Sequence, residues 1–112
     1  MMTDAHGYRL VYCTFPDEAA AKSAAATLVG ERLAACCSVS SHPVQSVYSW
    51  QGMVERSTEF ILTVKTHQRL LDRVESAIRS LHPYSVPEII SVQLCESSAD
   101  YEAWMQSVLD KG

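Results

Sequence analysis

Two side chains that can bind a soft metal ion stand at the ends of predicted secondary-structure elements. Cys13 lies near the C-terminal end of the first predicted strand, and His82 follows the second predicted helix. In a βαββαβ sheet these two ends lie at the same edge. A thiolate and an imidazole both bind copper, and the thiolate favours Cu(I). The pair is therefore a candidate metal site; the alternative is structural, with Cys13 a small buried residue and His82 a helix cap.

The same pair also has the composition of a thiol nucleophile with a neighbouring base. The sequence offers no glycine-rich loop to stabilise an oxyanion and no third residue to orient the histidine. An acylphosphatase-type anion loop would need an arginine after the first strand, where this chain has Thr14, Phe15 and Pro16. We therefore predict that the protein is not an enzyme.

The other three cysteines are predicted to serve packing. Cys36 and Cys37 are adjacent in a predicted strand, so their side chains should point to opposite faces of the sheet and not chelate one metal ion. Cys95 falls at the same end of the fold but on the other edge. The chain has no C-x-x-C motif and no Cys/His spacing typical of structural zinc.

Four polar residues are candidates for lining a cleft between subunits. Glu88 and Tyr84 flank the loop near His82, and Glu59 and Lys65 lie on the long predicted strand. A carboxylate, a phenol and an imidazole in one cleft could bind a ligand. The alternative interpretation is that these side chains anchor the loop by hydrogen bonds and form salt bridges at an interface.

The sequence predicts one α+β domain over residues 1–112, with alternating strands and helices. The predicted elements are strands at 8–15, 36–50, 53–66 and 89–95, and helices at 19–35, 68–81 and from Ser97 onward. Asp17 is the expected N-cap of the first helix, and Pro43 should break the second strand. Asp100 completes a predicted capping box with Ser97. The order is that of a ferredoxin-like βαββαβ antiparallel sheet with an extra C-terminal helix.

Apolar residues on both faces of the predicted sheet indicate association with further copies. Ile61 alternates with Phe60 and Leu62 on the long strand, so both faces require cover. Both crossover helices belong on one face, and an uncovered apolar sheet face usually marks an association surface. Trp50, at the hairpin tip, is expected to pack on a neighbouring subunit.

Composition and charge narrow the classes of partner. The net charge is −4, and the nine basic residues are scattered singly, so we expect no nucleic-acid partner. No apolar run approaches the roughly 20 residues of a membrane helix, so no membrane partner is expected. The polar N-terminus lacks the features of a signal peptide, which predicts a cytoplasmic protein.

Six short segments together resemble the CutA family over nearly the whole length of the chain. They are CTFPDE, ERLAACCSV, VYSWQGMVE, EFILTVKT, HPYSVPE and DYEAW, in this order. The resemblance implies a ferredoxin-like protomer, a homotrimer related in fold to the PII-type signalling proteins, and tolerance of divalent cations with copper binding. The copper ligands it implies are a cysteine at Cys13 and two adjacent histidines before the Pro-Tyr of the loop. Here that pair is Leu81 and His82, so one histidine is missing.

Two functions follow as expectations. The first is a copper-binding, trimeric protein of the divalent-ion tolerance type, with Cys13 and His82 as its metal ligands. The second is a PII-like trimeric sensor or scaffold that binds a small molecule between subunits. The chain has only four glycines, none adjacent to another, and no phosphate-binding glycine loop. This composition argues against a nucleotide as the ligand.

Overall fold

The chain forms an antiparallel sheet with two helices packed on one face and a third helix at the C-terminal end. The structure, a computed structural model, describes residues 1–112. Its elements are β1 (Met2–Asp4), β2 (Tyr8–Phe15), α1 (Glu18–Gly30), β3 (Cys36–Val39), β4 (Val44–Trp50), β5 (Met53–His67), a 3-10 turn (Gln68–Leu70), α2 (Leu71–Leu81), β6 (Ile89–Gln93), β7 (Glu96–Ser98) and α3 (Ala99–Val108). None of the helices combines the length and the apolar character needed to cross a bilayer. The predicted α+β, ferredoxin-like arrangement with an added C-terminal helix is confirmed.

Helix α1 begins where the sequence predicts. The Asp17 carboxylate accepts a hydrogen bond from the Ala20 amide at 2.8 Å, which satisfies one of the free N–H groups of the first turn. Along the helix, Ala21, Ala24 and Leu28 are fully buried. Alanine has the highest helix propensity and the smallest apolar side chain, so this face of α1 can lie close to the sheet.

The end of α1 differs from the prediction, which extended the helix to residue 35. The helix ends at Gly30, and Arg32 adopts a left-handed φ of 62°. The Leu33 amide then donates back to the Leu28 carbonyl at 2.9 Å, which closes the last turn. Arg32 also donates from Nε to the Val108 carbonyl at 2.9 Å. The residues after the turn are buried in a loop leading to the sheet, and their apolar character mimicked a longer helix.

The second predicted strand is broken, as expected, near Pro43. β3 ends at Val39 and β4 begins at Val44. β4 then forms a hairpin with β5 through Gln51 and Gly52, whose φ angles of 51° and 80° are both left-handed. Two such residues are the signature of the tight turn that matches the natural twist of a hairpin.

The strands of the main sheet lie in the order β3-β5-β2-β6, and β4 pairs with the outer half of β5. The register places Cys13 between Leu62 on β5 and Ile89 on β6. This order is the one that βαββαβ connectivity produces when both crossovers are right-handed. The helix-facing side of the sheet forms the core with α1 and α2; its fully or nearly fully buried strand residues are Val11, Cys13, Phe15, Leu62, Val64 and Thr66.

The opposite face of the sheet is left partly open. We call it the open face, and its apolar members are Leu10, Tyr12, Ile61, Ile90 and Val92. Ile90 is 56% exposed and Val92 is 47% exposed, and both lie on the edge strand β6. Large apolar side chains at this exposure agree with the predicted need for a further covering surface.

The chain ends show contacts that the sequence pattern did not predict. β1 pairs with β7, so that Thr3 lies opposite Ser97 in a second, two-stranded sheet. β6 ends at Gln93, two residues before the predicted end at residue 95. Ser98, not Ser97, is the N-cap residue of α3, and it makes no side-chain capping bond. The predicted capping box is wrong because Ser97 is held in the strand pair, where its hydroxyl donates to the Ser98 carbonyl at 3.0 Å.

Candidate functional site

The structure places Cys13 and His82 at one edge of the sheet, around the carbonyl oxygen of Thr14. The Cys13 Sγ lies 3.8 Å from this oxygen, and the His82 Nε2 lies 2.6 Å from it. The two elements meet there because β2 ends at Phe15 and α2 ends at Leu81 on the same side. The predicted proximity of the two residues therefore agrees with the structure.

The imidazole of His82 already uses both of its ring nitrogens. Its Nδ1 accepts a hydrogen bond from the Tyr84 amide at 3.1 Å, so Nε2 carries the proton and donates to the Thr14 carbonyl. The ring is 9% exposed and lies between Phe15 and Tyr84, with centroid distances of 4.4 Å and 4.8 Å. A neutral imidazole has one free lone pair, and here that lone pair is occupied.

The thiol of Cys13 is held in its protonated form. The side chain is completely buried. This burial, followed by the negative charges of Glu88 and Glu59, raises the pKa of Cys13 to about 12. Because the thiolate is the form that binds metals and attacks electrophiles, Cys13 at neutral pH is neither a ready copper ligand nor an activated nucleophile.

These contacts decide whether the candidate ligands fit a copper ion. Leu81, at the position of the second histidine, is 40% exposed and supplies no donor atom. No group of three or more histidine, cysteine, aspartate or glutamate residues is arranged to hold a metal ion. In this conformation, with the His82 lone pair in use and the Cys13 thiol protonated, the site does not fit copper. Copper binding by Cys13 and His82 stays a prediction.

Directly above this edge lies a cleft of about 680 Å³, which we call the β4 cleft. The strand β4, the end of β2 and the loop after α2 form its walls. Its lining residues are Thr14, Ser46, Val47, Tyr48, Trp50, Glu59, Tyr84, Ser85, Val86, Pro87 and Glu88. The volume falls in the range of sites for small organic molecules.

Glu59, Tyr84 and Glu88 lie together, since all three line the β4 cleft; the position of this cleft between subunits stays a prediction. Glu59 is only 6% exposed, and its Oε2 accepts a hydrogen bond from the Tyr84 hydroxyl at 3.2 Å. Burial, the negative charge of Glu59 and this hydrogen bond raise the pKa of the Tyr84 phenol. The phenol therefore stays protonated and acts as the donor.

The placement of Lys65 in the same region is wrong. Lys65 lies opposite Leu10 and Cys36 in the sheet, and its Nζ stands 5.9 Å from the ring centre of Tyr101. Six residues of extended strand separate it from Glu59, a distance of roughly 20 Å. Lys65 and Glu59 lie on the same long strand but do not line the same site.

Of the remaining three cysteines, Cys37 packs against the core as predicted, whereas the packing role predicted for Cys95 is wrong because this residue is exposed. Cys37 packs against the core, and its burial raises the pKa of its thiol to about 12. Cys36 is half-buried on the other side of the strand, and Cys95 is exposed. All four thiols of the chain are free.

The sequence interpretation missed the contribution of β4 to the site. Ser46, Tyr48 and Trp50 alternate along β4, and the register places them on the same face of the hairpin as Glu59. Trp50 was assigned only to subunit packing. The alternation of these residues with Val47 and Ser49 could have predicted their shared face, because every second residue of a strand points to the same side.

Comparison with known proteins supports the family suggested by the sequence. Residues 9–108 match the family model described as CutA1 divalent ion tolerance protein. The chain is 37% identical over 97 residues to the divalent-cation tolerance protein CutA of Thermus thermophilus. The alignment covers 87% of this chain and 93% of that protein. It is 36% identical over 96 residues to the protein of the same name from Pyrococcus horikoshii, with 86% and 92% covered.

Solved structures of such proteins superpose closely on this fold. The divalent cation tolerance protein from Thermus thermophilus gives a TM-score of 0.89 at 35% identity, covering 92% of this chain and 99% of that one. CutA from Synechococcus elongatus gives a TM-score of 0.91 at 34% identity, with 98% and 96% covered. Sequence and fold agree over nearly the full length, and the chain belongs to the CutA1 divalent ion tolerance family.

Proposed function

We propose that this chain is a non-enzymatic homotrimer that acts in tolerance of divalent cations. The observation that carries this proposal is the family membership, because the relatives are named for tolerance of divalent cations and not for a reaction. The protonated Cys13 thiol, whose pKa is about 12, also argues against a thiol enzyme. A cytoplasmic location, where thiols stay reduced, suits the four free cysteines.

The open face supports the assembly. Ile90 and Val92 expose about half of their surface, and the hairpin tip adds Trp50, Met53 and Val54 at 46%, 63% and 68% exposure. Patches of this kind are costly in a monomer and mark association surfaces. Packing three sheets around an axis would cover both the open face and the hairpin.

Analytical ultracentrifugation tests the assembly. Wild type should sediment as a particle of three 12.4 kDa chains. Ile90→Asp should shift the population toward the single chain, because it places a charge in the association surface. Ser91→Asp is the matched control, since Ser91 lies opposite Val11 on the helix-facing side of the sheet. A wild-type monomer, or equal dissociation of both variants, would contradict the proposed surface.

The metal function is tested by growth and by titration. Cells lacking the gene should become more sensitive to copper, zinc or cadmium, and unchanged growth in all three would contradict the tolerance role.

Copper binding is tested separately, by titrating the reduced protein with Cu(I) in wild type, Cys13→Ser and His82→Ala. Binding lost in both variants, but kept when the exposed Cys95 is changed to Ser, would locate copper at the predicted ligands. Copper binding that is unchanged in both variants would mean that any copper site lies elsewhere.

A second candidate function is that of a PII-like sensor or scaffold, with a small molecule bound at the subunit boundary. The β4 cleft favours it, because it combines an apolar wall with a few convergent polar groups. Three features set its walls: β4, the end of β2 at Thr14, and the loop containing Val86. Thermal denaturation against a panel of metabolites tests this function, and a panel without any stabilising compound would count against it.

A further inference from the structure

The β4 cleft holds two acidic side chains and no basic side chain among its lining residues. Glu59 and Glu88 are among its lining residues, which include no lysine, arginine or histidine. Neither carboxylate takes part in the ion pairs of the chain, which join other residues. A carboxylate in a partly desolvated site is stabilised when a cation comes to it. The charge of the cleft therefore selects for a positively charged occupant.

Glu59 offers an acceptor atom to such an occupant. The residue is 94% buried, and its Oε2 is bonded to the Tyr84 hydroxyl, while its Oε1 has no hydrogen-bond partner in the chain. No fully buried side-chain oxygen or nitrogen lacks a partner, so Oε1 is still reached from the cleft. A donor arriving there would complete the hydrogen bonding of a nearly buried carboxylate, and bonds between charged partners are the stronger ones.

The rest of the lining indicates an organic cation. Trp50, Tyr48 and Tyr84 present aromatic rings to the cleft, and Val86 and Pro87 add apolar surface. Aromatic faces attract ammonium groups, and most of all when water is excluded. A hydrated metal ion would instead require several oxygen ligands, and no cluster of three metal-binding side chains exists in the chain.

We infer that the β4 cleft binds a small organic molecule that carries a protonated amine, with its ammonium group on Glu59 and Glu88 and its apolar part against Trp50. This inference rests on the second proposed function, ligand binding in the cleft, and adds the chemical class of the ligand.

The probe for the test is benzylammonium, compared with its neutral analogue benzyl alcohol. The chain has two tryptophans, and changing Trp104 to Phe leaves Trp50, in the cleft wall, as the single fluorescent reporter. At pH 7 and low salt, benzylammonium should give a saturable change in Trp50 emission. Benzyl alcohol should bind at least about tenfold more weakly, as expected when a charged hydrogen bond is lost.

Charge-neutral variants locate the binding. Glu59→Gln should weaken benzylammonium binding about tenfold or more and leave benzyl alcohol nearly unchanged. Glu88→Gln should act in the same direction, and it keeps the test decisive if Glu59→Gln fails to fold. Glu31→Gln is the matched control, because Glu31 is exposed, forms no ion pair and lies outside the cleft.

The outcomes separate this inference from the function on which it rests. If both probes bind equally well, the cleft accepts small molecules but does not select for an amine, and only the inference fails. If neither probe binds, for example because a basic side chain of a second subunit fills the cleft, both fail. Loss of binding in Glu31→Gln as large as in Glu59→Gln would also overturn the inference.

Discussion

Replacing His82 by alanine should destabilise the protein even when no metal is present. The imidazole donates to the Thr14 carbonyl at 2.6 Å and accepts from the Tyr84 amide at 3.1 Å. Each hydrogen bond contributes about 1 kcal/mol. The packing of the ring against Phe15 and Tyr84 contributes a further ~1 kcal/mol. We therefore expect His82→Ala to lower the free energy of unfolding by about 3 kcal/mol.

The assay is urea unfolding followed by circular dichroism, in the presence of a chelator. Protein concentration must be equal for all variants, because the stability of an oligomer depends on it. The matched control is His42→Ala, which makes the same change at an exposed position in the loop between β3 and β4. Surface substitutions of this kind usually change stability by less than about 0.5 kcal/mol.

The comparison of the two variants also bears on copper. If His82→Ala is no more destabilising than His42→Ala, the hydrogen bonds of the imidazole are not formed in solution. The Nδ1 lone pair would then be available to a metal, and the structural role assigned to His82 would be refuted. If the loss is near the expected value, copper binding at His82 must first break the bond to the Tyr84 amide.

Three further predictions concern caps, turns and thiols. Asp17→Ala should lower the free energy of unfolding by about 1 kcal/mol in urea, because it removes the N-cap of α1, whereas Asp17→Asn should retain most of it. Gly52→Ala should lower the free energy of unfolding by about 1 kcal/mol, because Gly52 has a left-handed φ of 80°. Gly30→Ala should raise the free energy of unfolding, because Gly30 lies in the last helical turn with open space around it. In iodoacetamide labelling at pH 8, followed by mass spectrometry, the exposed Cys95 should react while Cys13, with a pKa of about 12, stays unmodified until the protein unfolds.

Local patterns were enough to predict the central elements. β2 runs over Tyr8–Phe15 as predicted, because aromatic and β-branched residues concentrate there and Pro16 follows. Asp17 caps α1 through a contact only three residues away. Features of this kind depend on neighbours in sequence, so the sequence alone carries them.

Elements fixed by distant contacts were not predictable. β1 and β7 are short and polar, and they exist because Thr3 and Ser97 meet across 94 residues of chain. The N-cap of α3 is Ser98, one residue later than predicted, and the helix begins at Ala99. Strands without alternating apolar residues give no periodic signal, since tertiary pairing alone decides them.

The candidate site was predictable in outline but not in its hydrogen bonds. Topology was sufficient to bring Cys13 and His82 to one edge of the sheet. The state of the imidazole depends on the backbone of Thr14 and Tyr84, which no side-chain pattern reveals. The conclusion changes from a ready metal ligand to an engaged structural residue because of these two backbone groups.

The register of β5 connects the cleft with the open face. Glu59 and Ile61 are two residues apart, so they face the same side of the sheet, and Ile61 lies opposite Thr14. The cleft therefore borders the open face. A second subunit that covers the open face would also remove water from around Glu59, and a charge pair strengthens as its surroundings lose water. Since linkage between two binding events is reciprocal, an assembly that closes the cleft and a cation that neutralises it should favour one another.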